Sequence, residues 1–442
     1  MSEGTPPPAA RILSPAFIWT ALFVALVVGA YYVGVKGPKR SAFVRWRSQI
    51  QAMLQGEDAY TQFGFPTPPV MAIILYPIGE LEFPYLAERK TEVGMALWLF
   101  LKVAMTLAAL HWLLLQQWQA WRKRPPNSVA IWAILASATP IIADLMHGNI
   151  NLWILFLVVA AWRAFGTGRR WLAGFILSLA VACKVTPALL VLYFAWKREW
   201  KTTTAAVLGL AFWLFVFPVY WVGWERNLHL LDRWSSLMLK PYLAEGRAER
   251  DVRNQSMAGL FQRMTSSPRT EIPSDSTSEE PLRIDPAINV INLSPDAARW
   301  TWRAIVAASM AGLWFVSRQP TAATDRRWLE HEFALVLLAM LLLSERSWKH
   351  HYVTILPSFV ALFSWIAHRS DAGFARSIVV ALSATAAGLI VLTSQDVLGT
   401  IAGDHVVEII QAYGAYTISA LLLVVCHIIV RRSESRMMNA DD

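Results

Sequence analysis

The sequence predicts an all-α, polytopic integral membrane protein, and three observations predict it. Of 442 residues, 55% are hydrophobic and only 16% charged, against about 25% charged in an ordinary soluble domain. Apolar runs close to the ~20 residues that cross a hydrocarbon core recur along the chain. Lys and Arg gather in alternate short loops, the pattern of cytoplasmic loops. Together these exclude a water-soluble globule and a disordered chain. A small disulfide scaffold is excluded too, because there are two cysteines, Cys183 and Cys426, both inside apolar runs where they read as small hydrophobes. The net charge of +9 then reads as loop charge rather than as a nucleic-acid surface.

In chain order, the expected spans are 15–35, 93–116, 128–144, 150–165, 202–223, 299–317, 330–344, 352–367, 378–394 and 409–431. The stretch from Trp171 to Trp196, interrupted by Lys184 and Pro187, is too long for one span and too short for two. A broken or re-entrant pair is expected there. Pro68–Leu81 is too short to cross and is expected to dip into one interface. The total is about eleven or twelve transmembrane or re-entrant helices.

Orientation follows from the basic loops. Arg122, Lys123, Arg124, Arg169, Arg170, Lys197, Arg198, Lys201, Arg318, Arg326, Arg327, Arg369, Arg376, Arg431, Arg432 and Arg436 fall on one side, which places that side and both termini in the cytoplasm. Lys36, Lys39, Arg40, Arg45 and Arg47 form a basic cluster on the opposite side. The domain organisation expected is a cytoplasmic tail at 1–14, a transmembrane domain at 15–431 and a cytoplasmic tail at 432–442. Within it lie an external loop at 36–92 with short interfacial helices and a long external loop at 224–298. The first apolar run follows a single basic residue, Arg11, and reads as an anchor rather than a cleaved leader. The Ser-, Pro- and acid-rich segment 271–280 is expected to be mobile. No repeated block is apparent.

Polar residues are costly in such a protein and mark function. Four clusters stand out, all on the expected external side: Asp144, His147, Gly148, Asn149 and Asn151; Lys184 to Pro187; Asn254-Gln255-Ser256; and Glu345, Arg346, Lys349, His350 and His351. Each has a plainer reading. Asp144 can be solvated or paired with His147, and Asn149 and Asn151 can shape a turn and cap a helix. Lys184 can snorkel, Asn-Gln-Ser can be a glycosylation sequon, and the histidine pair can be interfacial. His111 and His427, alone in apolar runs, read as core residues. No carboxylate- or Cys-rich ligand set accompanies the His pair, so no metal and no cofactor are expected. Basic groups around a membrane-edge cavity suit a phosphate, clustered amides suit sugar hydroxyls, and a carboxylate suits a general base. The set fits an enzyme passing a sugar from a lipid phosphate to an acceptor. The rival is a transporter or flippase of lipid-linked sugars, which the broken helix suits but the missing repeat does not.

The ordered motifs Gly148-Asn149-Ile150-Asn151, Lys184-Val185-Thr186-Pro187, Asn254-Gln255-Ser256 and Ser347-Trp348-Lys349-His350-His351 resemble glycosyltransferase family 87. Upstream, Gly56-Glu57-Asp58-Ala59-Tyr60 followed by Pro66-Thr67-Pro68-Pro69 is similar to the end of that family's first external loop. The likeness runs from the first span to about Pro357. The resemblance implies a GT-C fold, while the distribution of basic loops points to a multi-pass cell-membrane location with the active site on the external (periplasmic) side. The resemblance also implies transfer, with inversion, of a hexosyl and specifically mannosyl group. The partners implied are a polyprenyl-phosphate-linked sugar donor, a glycan or glycolipid acceptor and membrane lipids around the donor tail, with no nucleic acid.

On this resemblance Lys184, Arg346, Lys349, His350 and His351 hold the donor phosphate, with Arg45 and Arg47 closing over it. His147, Asn149, Asn151, Asn254 and Gln255 meet the sugar; the family's own base position is Ala42 here, so the base is expected to be Asp144 first, because it shares a short turn with His147 and Asn149, or else Asp58. Two positions depart from the family pattern. Ala42-Phe43 stands where an Asp-Phe is expected, and Asn149 replaces a glutamine. The first departure admits a third reading, a degenerate member that binds lipid-linked sugar without turnover.

Overall fold

A computed structural model describes residues 14, 19–24, 27, 41–80, 90–243, 246, 249–267, 270–271, 283–284 and 287–440. Most of the first expected span, Lys36, Lys39 and Arg40, and segment 272–282 lie outside the described residues. The chain is almost wholly helical. Its β structure among the described residues is one short antiparallel pairing, Thr270–Glu271 with Arg283–Ile284. Polytopic all-α architecture is therefore what the sequence specifies.

Five helices are long and apolar enough to cross a membrane among the described residues: Val93–Trp121, Trp200–Val222, Lys349–His368, Ser370–Leu392 and Ala415–Ser435. A sixth span forms if the bent pair Asn127–Ala136 and Ala138–His147 is counted as one. This is fewer than the apolar runs suggested, for a physical reason. Asn151–Gly166, Arg170–Cys183 and Arg326–Leu342 have only 16, 14 and 17 residues, and Pro295–Ser317 carries Asp296, Arg299 and Arg303 in its first turns. Short helices with irregular ends survive at membrane depth where they are enclosed by protein or line a cavity.

Arg326–Leu342 is enclosed on nearly every side. It stacks Phe333 on Trp162 of Asn151–Gly166 at 4.6 Å between ring centroids, and it packs against Leu356–His368. Outer helices differ sharply. In Trp200–Val222 and Ser370–Leu392 only 22% of the apolar window is buried, against 72% in Lys349–His368. Their exposed Val207, Leu208, Val216 and Phe374 are apolar surface that only lipid would cover.

Two breaks position the site. Asn127–Ala136 and Ala138–His147 meet at 58°, where Pro140 has no N–H to give the Ala136 carbonyl. Arg170–Cys183 ends at Lys184, which is extended (φ −156°, ψ 127°), and the chain re-enters helix at Ala188 after Pro187. The expected broken pair between Trp171 and Trp196 is present. Pro69–Gly79, also expected to be short, has Val70, Met71 and Ala72 fully buried.

Candidate active site

The bent pair delivers its last turn, Asp144 to Asn151, into the protein. Gly148 ends the Ala138–His147 helix in the left-handed region, φ 66°. A Cβ there would lie 2.5 Å from Ser41 Oγ, so glycine is required both for the conformation and for the approach of the Ala42–Gln55 helix. The Gly148 carbonyl accepts the Trp98 indole N–H at 3.0 Å, and Phe43 stacks on Trp98. Ala42, buried beside them, thus sits against the turn although it brings no carboxylate.

Asp144 is fully buried and organises this turn. One carboxylate oxygen accepts from the Asn151 backbone (3.2 Å) and side-chain amide (2.9 Å), and the other from Leu152 N (3.3 Å). It is therefore a cap for the next helix, donated from the helix before. Lys102 supplies the countercharge. Its Nζ lies 3.4 Å from Asp144 Oδ2 and donates to the Asp144 carbonyl at 2.5 Å, with neither side chain exposed. The sequence reading passed over Lys102, although a lysine within an apolar helix is itself a signal.

Asn151 passes the arrangement on. Its amide oxygen accepts from Lys184 Nζ at 2.6 Å. Lys184 and Asn151 line a small cleft, partly open to solvent, with Ile154, Thr186, Met340, Leu341, Ser344, Ser347, His351 and Thr354. His350 lies alongside, its ring 5.7 Å from His147 and 4.7 Å from His351. Lys184, His147, Lys102 and Lys349 are all within electrostatic reach of His350. Three sequence clusters thus converge: the 144–151 turn, the Lys184 break and the Glu345–His351 segment.

The fourth cluster converges differently. Asn254 donates to the Glu249 and Glu345 carbonyls (2.9 and 2.8 Å) and accepts from Ser256 N and Ser347 N (3.2 and 2.9 Å). Gln255 donates to the Val252 and Gln411 carbonyls (2.6 and 2.8 Å) and accepts from Tyr416 N (3.3 Å). Both residues are buried and their amides are engaged by these partners, so the sequon is not a surface one. Asn-Gln-Ser is a clasp that fastens the long loop to the Glu345–Trp348 segment. Trp348 in that segment lies between Arg253 (5.5 Å) and Arg346 (4.7 Å).

The remaining expected residues lie at other points. Arg346 pairs with Glu249 at 2.7 Å on the rim, and Lys349 is half-buried at the start of the Lys349–Ile355 turn. Asn149 is half-buried beside Gly148. Arg45 is exposed, and Arg47 pairs with Glu80 at 3.1 Å. Asp58 caps the short Ala59–Phe63 helix and pairs with Arg233 at 2.8 Å. Burial opposes ionisation of Asp58, but hydrogen bonds from Thr61 and Arg233 outweigh it and hold the carboxyl at about 2. The Glu345 carboxyl moves the other way, raised to about 7 by burial. Among the described residues no three metal-ligating side chains come together. The cleft has the chemistry of an anion site, with one ammonium at its wall, imidazoles behind it and hydroxyls around it.

The sequence profile of glycosyltransferase family 87 matches residues 65–344. A polyprenol-phosphate-mannose-dependent α-(1-2)-phosphatidylinositol mannoside mannosyltransferase of Mycobacterium tuberculosis is 25% identical, over 83% of this chain and 81% of its own length. The like-named protein of Mycolicibacterium smegmatis is 26% identical, over 79% and 76%. An α-(1->3)-arabinofuranosyltransferase of Corynebacterium glutamicum is 24% identical over 55% of each chain.

Proposed function

This chain belongs to glycosyltransferase family 87, and from that premise we propose that it transfers a mannosyl group from polyprenyl-phosphate mannose to a glycolipid or glycan at the external membrane face. It is a membrane glycosyltransferase by family and by its apolar helices. The donor is taken from the relatives' dependence on polyprenol-phosphate-mannose. The external placement is taken from the distribution of Lys and Arg among the loops.

One observation carries the assignment of the site: Lys184 Nζ, held by Asn151 Oδ1 at 2.6 Å, on the wall of a cleft that also holds His351, Ser347 and Thr354. The reaction breaks the bond between the anomeric carbon and the phosphate oxygen, and forms one to the acceptor oxygen on the opposite face. The phosphodiester, with one negative charge, leaves as a phosphate monoester with up to two. A cation at that oxygen therefore binds the transition state more tightly than the ground state. Lys184 has that role, with His351 beside it and Lys349 and Arg346 at the rim.

The acceptor proton needs a base. Asp144 is fully buried and engaged by three N–H groups and Lys102, whereas the Asp58 side chain is 27% exposed. Asp58, the more exposed of the two candidates although Thr61 and Arg233 engage it away from the Lys184 cleft, is the base to test, and Asp144 is a positioning residue that holds Asn151 and, through it, Lys184. Purified protein given radiolabelled polyprenyl-phosphate mannose and a glycolipid pool should move label into product, and Lys184→Ala should stop it. Saturable donor binding with no transfer in the wild type would instead make this a binding protein.

A further inference from the structure

At the other end of the Asn151–Gly166 helix, four arginines from different segments crowd together with little to neutralise them. Arg163, on that helix, donates to Gln116 Oε1 and Gln119 Oε1, both at 3.0 Å. Arg326, 163 residues further along the chain, donates to the same Gln119 oxygen and to the Gly166 carbonyl. Two guanidinium groups therefore meet on one neutral amide oxygen. Arg122 and Arg170 are close enough to repel Arg326 further. The carboxylates that answer them are few. Glu199 is taken by Arg170 at 3.3 Å. Glu330 is buried, accepts the Trp162 indole N–H at 3.1 Å, and attracts Arg163 and Arg326 only from beyond ion-pair distance. Among the described residues neither Arg163 nor Arg326 has a carboxylate at ion-pair distance.

Like charges brought together on a neutral acceptor raise the energy of the folded chain unless an anion joins them. The frame holding them is built. Gly166 has no room for a side chain, because the Gln116 amide occupies the space 2.2 Å from where a Cβ would stand. Arg170 lies flat on Phe165 at 3.7 Å and donates to the Phe165 carbonyl at 2.7 Å. Arg122 and Arg326 are exposed, so the cluster is open to a ligand. Its depth is marked by Trp171 and Trp200, which are 56% and 63% exposed at the starts of neighbouring helices; tryptophans so placed belong at the headgroup level of a bilayer. Arg163 is twelve residues from Asn151, about 18 Å along the helix axis, so this cluster is separate from the cleft at Lys184.

We propose that Arg163 and Arg326, with Arg122 and Arg170 around them, bind the phosphodiester headgroup of an anionic membrane phospholipid. A phosphate oxygen would bridge the two guanidinium groups that now share Gln119, and the acyl chains would follow the apolar outer helices. Basic pockets between helices at a membrane surface are suited to such headgroups.

The test uses the full-length protein in neutral detergent, supplied separately with dioleoylphosphatidylglycerol, dioleoylphosphatidylcholine and inorganic phosphate. Lipid retention is read by native mass spectrometry and thermal midpoint by intrinsic fluorescence. Wild type should retain phosphatidylglycerol at least ~10-fold more tightly than phosphatidylcholine, with a raised midpoint. Arg163→Gln and Arg326→Gln should fall to the phosphatidylcholine level, while Arg318→Gln, an equal loss of charge elsewhere, should not. Lipid-free midpoints of the two variants should equal or exceed wild type, since repulsion is relieved. Equal retention of both lipids, or an equal loss in Arg318→Gln, would overturn the proposal. So would a lipid-free midpoint that drops in both variants, or inorganic phosphate that displaces phosphatidylglycerol and reproduces its stabilisation.

Discussion

Asp144 and Lys102 face each other at 3.4 Å with neither side chain exposed, 42 residues apart in sequence. The pair joins the Lys90–Trp121 helix to the turn that carries Asn151. A buried pair of this kind is costly to break from one side, because the survivor is an uncompensated charge.

Asp144→Asn or Lys102→Met alone is expected to destabilise the protein by ~3–5 kcal/mol. The double variant should recover a large part of that loss, since no charge is then stranded. Thermal midpoints of the four proteins in one detergent form the double-mutant cycle. Additive losses would show that the two side chains do not act as a pair.

Lys184→Ala is expected to lower the transfer rate by ~10²–10³-fold, the scale of removing one group that stabilises developing oxyanion charge. Asn151→Ala, which leaves Lys184 in place but unheld, should cost less. The readout is turnover at saturating donor; a change confined to KM would mean that Lys184 only binds ground-state phosphate.

Asp58 both caps a helix and stands as the proposed base, and the two roles separate. Asparagine caps about as well as aspartate but takes no proton. Asp58→Asn should keep the thermal midpoint near wild type while transfer falls by ~10²–10⁴-fold. Retained transfer would remove Asp58 from the mechanism.

Glu345 links stability to pH. Its folded-state carboxyl is raised from 4.5 to about 7 by burial, so the fold favours the protonated form. That contribution is complete below the unfolded value and is lost as pH rises through about 7. Between pH 5 and 8 wild-type stability should fall relative to Glu345→Gln by on the order of 2 kcal/mol after allowing for partial exposure, read as a lower thermal midpoint. Parallel pH profiles for the two proteins would contradict it.

Asn254→Ala should behave as a loss of architecture. Its amide makes four bonds within the protein, and each buried group left without a partner costs ~1–3 kcal/mol. The expected result is a lower midpoint with donor KM unchanged in the protein that remains folded. A raised KM with an unchanged midpoint would return Asn254 to the sugar site.

The sequence by itself determined the class of this protein and most of its landmarks. Apolar runs, scarce charge and alternating basic loops are local properties that the bilayer imposes on any spanning chain. The break at Lys184–Pro187, and the short motifs around Asn151 and Lys349, were legible for the same reason: a polar residue or proline in an apolar run is conspicuous. Tertiary structure decided what each polar residue does. Asp144, expected as a base because it shares a short turn with His147 and Asn149, is buried and caps the next helix. Asn254 and Gln255, expected at the sugar, bond within the protein as a clasp, with Gln255 reaching a carbonyl 156 residues away. Lys102 is conspicuous as a lysine in an apolar run but its partner is not, and the Arg163–Arg326 pairing on Gln119 has no local signature at all. A buried polar group must find partners wherever the fold brings them, and those partners lie across helix contacts that sequence periodicity does not specify.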